Sequence, residues 1–251
     1  MRFLVLGDVV GRTAVEYLSK NLWRYRNENK IDLVIANGEN ASDIHGISVT
    51  EAEALFDAGV DILTGGNHSF RRRDIHQYME NSERIIRPAN YPANAPGQGY
   101  TVTNINGYRV LIMNALGTTF MEPLACPFET IEKILSREEG KYDISVLDIH
   151  AEATSEKIAI GYYFDGKIDL IFGTHTHVAT ADEKTLPLGT AYITDIGMTG
   201  PKISILGAKV EEIVRKLKDK MPTQITVADG EIEARGIIFD TDAKSIKRIS
   251  F

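Results

Sequence analysis

Five times between Phe3 and His177 a short apolar run ends at a polar cluster. The clusters read Gly7-Asp8, Gly38-Glu39-Asn40, Gly66-Asn67-His68, Asp148-Ile149-His150 and Gly173-Thr174-His175-Thr176-His177. Runs such as Phe3-Leu4-Val5-Leu6 and Leu33-Val34-Ile35-Ala36 are apolar throughout rather than alternating, which fits strands covered on both faces. An amphipathic helix is expected between these two, from Thr13 to Asn29, with Val15, Leu18, Leu22 and Tyr25 near helical spacing. Alternation of this kind predicts an α/β chain built on parallel strands. The carboxyl ends of such strands share one edge of the sheet, where ligand sites form. The five clusters are therefore expected to meet.

The remaining segments read in order. Ser48-Val49-Thr50-Glu51 has the form of a capping box and predicts a helix from Thr50 to Ala58. From Ile85 the prolines Pro88, Pro92 and Pro96 mark an irregular loop. A hairpin should pair Tyr100–Asn104 with Tyr108–Asn114 through Asn106-Gly107. Helices are expected over Phe128–Glu139, Thr154–Tyr163 and Glu211–Lys220, with strands from Gln224 to Phe251 turning at Asp229-Gly230. The sequence predicts one domain, 1–251, containing two sheets.

Composition narrows the function. A net charge of -7 argues against a general nucleic-acid surface. The single cysteine, Cys126, excludes intrachain disulfides and is expected to pack. No window approaches the ~20 apolar residues that span a bilayer, and no signal core follows Met1-Arg2, so a cytoplasmic protein is expected.

Two of the six histidines are His175 and His177. On an extended backbone their rings would share a face, which suits a divalent cation. Mixed nitrogen and oxygen donors without thiolate favour Mn²⁺, Fe or Zn²⁺ over a soft metal. No cluster is specific alone, but the ordered set is.

That ordered set resembles the calcineurin-like metallophosphoesterase superfamily, and more closely its YmdB-like bacterial phosphodiesterase branch. The likeness extends through Gly7-Asp-Val-Val-Gly11, Arg87-Pro-Ala-Asn90, His150-Ala-Glu-Ala-Thr-Ser-Glu-Lys157 and Ile193-Thr-Asp-Ile-Gly-Met-Thr-Gly200. It implies a two-sheet α/β/β/α sandwich with two divalent metal ions, iron or manganese, at the strand ends. By carry-over Asp8, Glu39, Asn40 and His177 hold one metal. Glu39, Asn67, His150 and His175 hold the other, with Glu39 bridging. Water held between the metals would attack phosphorus in line, and His68 would protonate the leaving oxygen. The implied substrates are small phosphodiesters such as 2′,3′-cyclic nucleotides. Homo-oligomers are common in the branch.

Departures are informative. The superfamily's usual Asp-x-His is here Asp8-Val9-Val10, and the usual second aspartate is Glu39, followed by Asn40. Both match the YmdB-like branch. After His68 the branch's Trp-Asp is replaced by Ser69-Phe70-Arg71, and His45 has no counterpart role. The triplet Arg71-Arg72-Arg73 reads as a solvated cluster at a helix start. Asp148 has no assigned role, and Glu152, Thr154 and Glu156 read as a helix start. A phosphomonoesterase and a metal-binding nucleotide sensor are the alternatives. A dinucleotide-binding oxidoreductase is disfavoured, because Gly7-Asp-Val-Val-Gly11 is not Gly-x-Gly-x-x-Gly and Asp8 would repel a pyrophosphate.

Overall fold

The computed structural model describes Met1–Phe251. Its first half contains β1 (Arg2–Leu6), β2 (Asp8–Val9), α1 (Gly11–Glu28), β3 (Leu33–Asn37), α2 (Val49–Asp57), β4 (Ile62–Thr64), α3 (Asp74–Glu80), β5 (Tyr100–Ile105) and β6 (Tyr108–Leu116). There follow α4 (Pro127–Arg137), β7 (Ile144–His150), α5 (Thr154–Tyr163), β8 (Leu170–Thr174), β9 (Lys184–Thr185) and β10 (Ala191–Ile193). The chain closes with β11 (Met198–Pro201), α6 (Val210–Asp219), β12 (Ile232–Glu233), β13 (Arg235–Asp240) and β14 (Ser245–Ser250).

Two main sheets form, in strand order β14-β13-β1-β3-β4 and β5-β6-β7-β8-β10-β9. Within them β1, β3 and β4 run parallel, as do β6, β7, β8 and β10. Period-two alternation explains why the runs are wholly apolar. Leu4 and Leu6 pack outward against Ala14, Leu18 and Leu22 of α1, whereas Phe3 and Val5 point inward to the second sheet. That inner layer joins Leu33, Ile35 and Phe239 to Val110, Val146, Phe172 and Ile193. On the far side Leu147 and Ile171 meet Ile131 of α4 and Ile160 of α5. The layers run α/β/β/α, as the family resemblance implies.

Several expectations hold closely. The hairpin β5–β6 turns at Asn106-Gly107, and α5 spans Thr154–Tyr163. The proline-rich loop is fastened by Arg87, whose guanidinium donates to the carbonyls of Pro88 and Pro96 at 2.9 and 3.3 Å. Asn90 grips the end of β6 through Leu116, with its amide donating to the Leu116 carbonyl and accepting from the Leu116 N–H. These bonds give Arg87-Pro-Ala-Asn90 a structural role. The arginine triplet does precede α3, and Arg72 pairs with Asp43 at 2.8 Å.

Other expectations need correction. Cys126 is exposed and precedes Pro127 at the start of α4, so it does not pack. The third, small sheet β12-β11-β2 was not legible, because strands of two to four residues carry too few side chains to set a pattern. Ser48 makes no capping bond to a backbone N–H of α2; its hydroxyl donates to the Glu51 carboxylate, which Arg12 reaches at 3.1 Å.

Candidate metal centre

All five clusters arrive at one edge. Asp8 opens β2, Glu39 and Asn40 follow β3, Asn67 and His68 follow β4, His150 ends β7, and His175 and His177 follow β8. The His-x-His pair is not extended, contrary to the alternation argument. The strand stops at Thr174, and His175 and His177 have φ of 97° and 62°. These left-handed conformations send the rings to different partners.

His175 Nδ1 lies 3.1 Å from His150 Nε2. His177 Nε2 lies 3.2 Å from the Asn40 amide nitrogen and 3.6 Å from Asp8 Oδ1. Glu39 Oε1 is 3.1 Å from His150 Nε2, and its other oxygen accepts the His68 N–H at 2.7 Å. Asn67 Oδ1 completes this half, 3.0 Å from His150 Nε2. Ligand atoms of Glu39, His150 and His175 lie within 4.8 Å of one another.

The residues fit divalent cations on three counts. Lone-pair donors of borderline hardness converge in two groups, with Glu39 between them. Gly66 passes so close that a Cβ there would stand 2.4 Å from both Glu39 Oε2 and His150 Nε2, filling the space between the ligands. Each histidine also has its second nitrogen engaged, as metal-binding imidazoles do. His150 Nδ1–H donates to Thr174 Oγ1 at 2.9 Å, and that hydroxyl donates to Asp148 Oδ1 at 2.7 Å. His175 Nε2 meets Glu152 Oε2 at 3.0 Å, and His177 Nδ1–H donates to the Leu206 carbonyl at 3.1 Å.

Charge governs titration here. Burial alone would lower His150, yet Glu39, Asp8 and Asp148 outweigh it and lift its pKa to about 9. Burial pushes Asp148 up to about 6, moderated by His150 and by the Thr64 and Thr174 hydroxyls. Burial, with Arg71 and His45 nearby, takes His68 down to about 4 despite Glu39. Asp8 stays a carboxylate, since His177 and His150 overcome the effect of burial.

Sequence reasoning missed several supporting groups. Asp148, to which the sequence assigns no role, is wholly buried and accepts from Thr64, Thr174 and Asn37. Its position two residues before His150 on one strand was the available signal. Glu152 does not belong only to a helix start, since it holds His175. Lys157, fully buried, donates from Nζ to the Thr174 carbonyl and to Asp195 Oδ2, both at 2.7 Å. The His45 ring lies against that of His68, tilted by 42° with centroids 4.1 Å apart.

The YmdB-like protein family matches residues 4–251, nearly the whole chain. The chain belongs to this family. Among YmdB-like relatives, the 2′,3′-cyclic-nucleotide 2′-phosphodiesterase of Bacillus subtilis is 39% identical, over 99% of this chain and 94% of that protein. A YmdB-like fold also appears in a hypothetical protein from Thermus thermophilus, with a TM-score of 0.94 at 36% identity, covering 100% of this chain and 99% of that one. A phosphatase from Mycoplasma pneumoniae superposes with a TM-score of 0.92 at 33% identity, covering 100% and 93%. More distant neighbours include a 5′-nucleotidase precursor from Thermus thermophilus at 12% identity and a TM-score of 0.57, a likeness of fold alone. No helix is long and apolar enough to cross a membrane.

Proposed function

We propose that this chain, acting as one domain over 1–251, is a metal-dependent phosphodiesterase hydrolysing 2′,3′-cyclic nucleotides. The observation that carries this reading is the convergence of Asp8, Asn40 and His177 with Asn67, His150 and His175 on either side of Glu39. The activity named for the Bacillus subtilis relative supports the substrate class.

Asp8, Glu39, Asn40 and His177 would hold one divalent ion, and Glu39, Asn67, His150 and His175 a second. Iron or manganese suits this donor set. When bound, the ions supply positive charge that draws electron density from the phosphate oxygens and acidifies water. The Glu39 carboxylate offsets repulsion between them, while the neutral amides and imidazoles leave net positive charge for the substrate. Asn40 turns its amide nitrogen toward Asp8, Glu39 and His177, and a flip of that amide presents its oxygen instead. The relay from Asp148 through Thr174 holds a His150 proton on Nδ1, so that the proton a bound metal would displace is the one on Nε2, whose lone pair would then serve as ligand. His68, fastened through its backbone to Glu39, delivers a proton to the leaving oxygen. Burial is what chiefly keeps His68 neutral, with His45 and Arg71 adding to it, and a bound phosphodiester anion would favour its protonated form.

The test is hydrolysis of 2′,3′-cyclic AMP by chelated protein, before and after Mn²⁺ or Fe²⁺ is restored. Turnover should vanish with the chelator and return with metal. Turnover indifferent to the chelator, or none after two metals are bound, would overturn the reading.

A further inference from the structure

Beside the histidines lies a cavity of about 380 Å³ with a mixed lining. Glu39, Asn40, His68, Glu152, His175 and His177 supply polar groups, and Ile44, Leu206, Ala208, Ile213 and Ile225 supply apolar ones. A nucleotide, anionic at its phosphate and apolar on the faces of its base, suits both sets.

Most of the apolar lining owes little to the needs of the fold, Ala208 being the buried exception. Helix α6, which supplies Ile213, buries none of its residues. Leu206 is the sharper case. Leu206 and Gly207 have φ of 53° and 90°, and the flanking Ile205 and Ala208 exchange both backbone hydrogen bonds. Paired positive φ values define a tight turn for which asparagine followed by glycine is strongly preferred. Gly207 is required twice over, since a Cβ there would stand 2.5 Å from Val10 Cγ1. Leucine at the preceding position is disfavoured by its backbone and leaves its side chain 47% exposed. The Leu206 carbonyl is also what His177 Nδ1–H grips, so the turn is held at a fixed distance from the metal ligands. A local rule broken at the rim of a site marks function rather than folding.

We propose that Leu206, with Ile44, Ile213 and Ile225, seats the base of a nucleotide whose phosphate lies at the histidines. This inference rests on the phosphodiesterase reading and extends it to substrate recognition. The four apolar side chains offer no hydrogen bond to a base edge, and Asn40, Thr176 and Glu152 of the same cavity are engaged with His177, Asp195 and His175, so the seat binds the flat face and discriminates weakly among bases. Lys216, at the same cavity and without an ion-pair partner, adds positive charge at the nucleotide's flank.

The variant Leu206→Asn separates folding from recognition, because asparagine tolerates the positive φ. Its Tm should equal or exceed that of the parent. Metal-loaded protein is assayed on 2′,3′-cyclic AMP and on the methyl riboside 2′,3′-cyclic phosphate, which has no base. The parent should favour the nucleotide by about tenfold or more in kcat/KM, and Leu206→Asn should bring that ratio near one, the scale expected for one apolar contact. Calorimetric binding of adenosine 3′-phosphate should weaken about tenfold in the variant. Equal rates on both compounds by the parent would overturn the base seat and leave the phosphodiesterase reading intact. A variant that melts lower and loses both substrates equally would mark Leu206 as structural and overturn the seat. If the parent hydrolyses neither compound, the phosphodiesterase reading fails, and binding still decides the seat: unchanged affinity in Leu206→Asn overturns it.

Discussion

Lys157 Nζ and Asp195 Oδ2 stand 2.7 Å apart with their side chains 0% and 1% exposed. The pair lies directly behind the histidine loop. Asp195 also accepts the N–H and hydroxyl of Thr176, and Lys157 holds the Thr174 carbonyl, so the pair fixes the backbone between the two metal-facing histidines. Burial raises the Asp195 carboxyl, and Lys157 opposes that rise. Replacing the lysine by Lys157→Met leaves a buried carboxylate without its cation, a loss of about 3–5 kcal/mol. Urea unfolding should show a lower midpoint at unchanged slope.

Thr174→Val removes the hydroxyl that joins His150 to Asp148 while keeping the side chain's shape. Outer partners of this kind set metal affinity by about 10–100-fold. Competition with a chelator should show affinity falling by that amount, with secondary structure unchanged in circular dichroism.

Loss of the proposed proton donor should act on rate alone. His68→Ala should lower kcat on 2′,3′-cyclic AMP by about 10²–10⁴-fold, the usual range for a general acid. Metal content, measured by elemental analysis, should stay at the parental level, because the ring of His68 is not among the proposed ligands. Unchanged kcat would remove His68 from the chemistry.

Gly66→Ala tests the crowding between ligands. Its methyl would meet Glu39 Oε2 and His150 Nε2, each at 2.4 Å. The expected result is a folded protein with strongly reduced metal binding, read by elemental analysis after dialysis.

Far from the site, Arg109 clasps Asp143 with Nη2–Oδ1 at 2.8 Å and Nε–Oδ2 at 3.1 Å. The clasp, with the Arg109 N–H, lowers the Asp143 carboxyl from 3.8 to about 2. A depressed carboxylate stabilises the fold above its ordinary value and loses that contribution as pH falls through about 2. Carboxyl NMR titration should find this low midpoint, and Arg109→Ala should move it up toward 3.8 while leaving the backbone N–H bond.

The edge where the clusters meet was legible because wholly apolar runs such as Phe3–Leu6 announce strands covered on both sides, and parallel strands share one carboxyl end. The route by which His175 and His177 reach it was not. Alternation placed them on one extended face, whereas positive φ at both residues turns them apart. Such a conformation has no side-chain signature outside glycine and asparagine. Lys157 and Asp195 stand in two matched motifs, but their pairing was not legible, for another reason. A charged residue within a helix, such as Lys157 in α5, reads as solvent-facing until the tertiary fold brings its partner to it. Glu152 shows the same limit at shorter range, since only the turned loop brings His175 to its carboxylate.

The placement of β1 between β3 and β13 has a bearing on biosynthesis. The strand leading to Asp8 is synthesised long before its partner, and one of its edges stays open until Arg235–Asp240 emerges. Gly7, beside Asp8, also waits for the Arg235 carbonyl to accept its N–H at 3.0 Å. Pairings so distant along a chain form slowly, and an open apolar strand edge invites misassembly meanwhile. A polypeptide stopped before Arg235 would contain every proposed ligand and still lack the neighbour that sets the first of them. Metal loading thereby becomes a reporter of β13 docking beside β1.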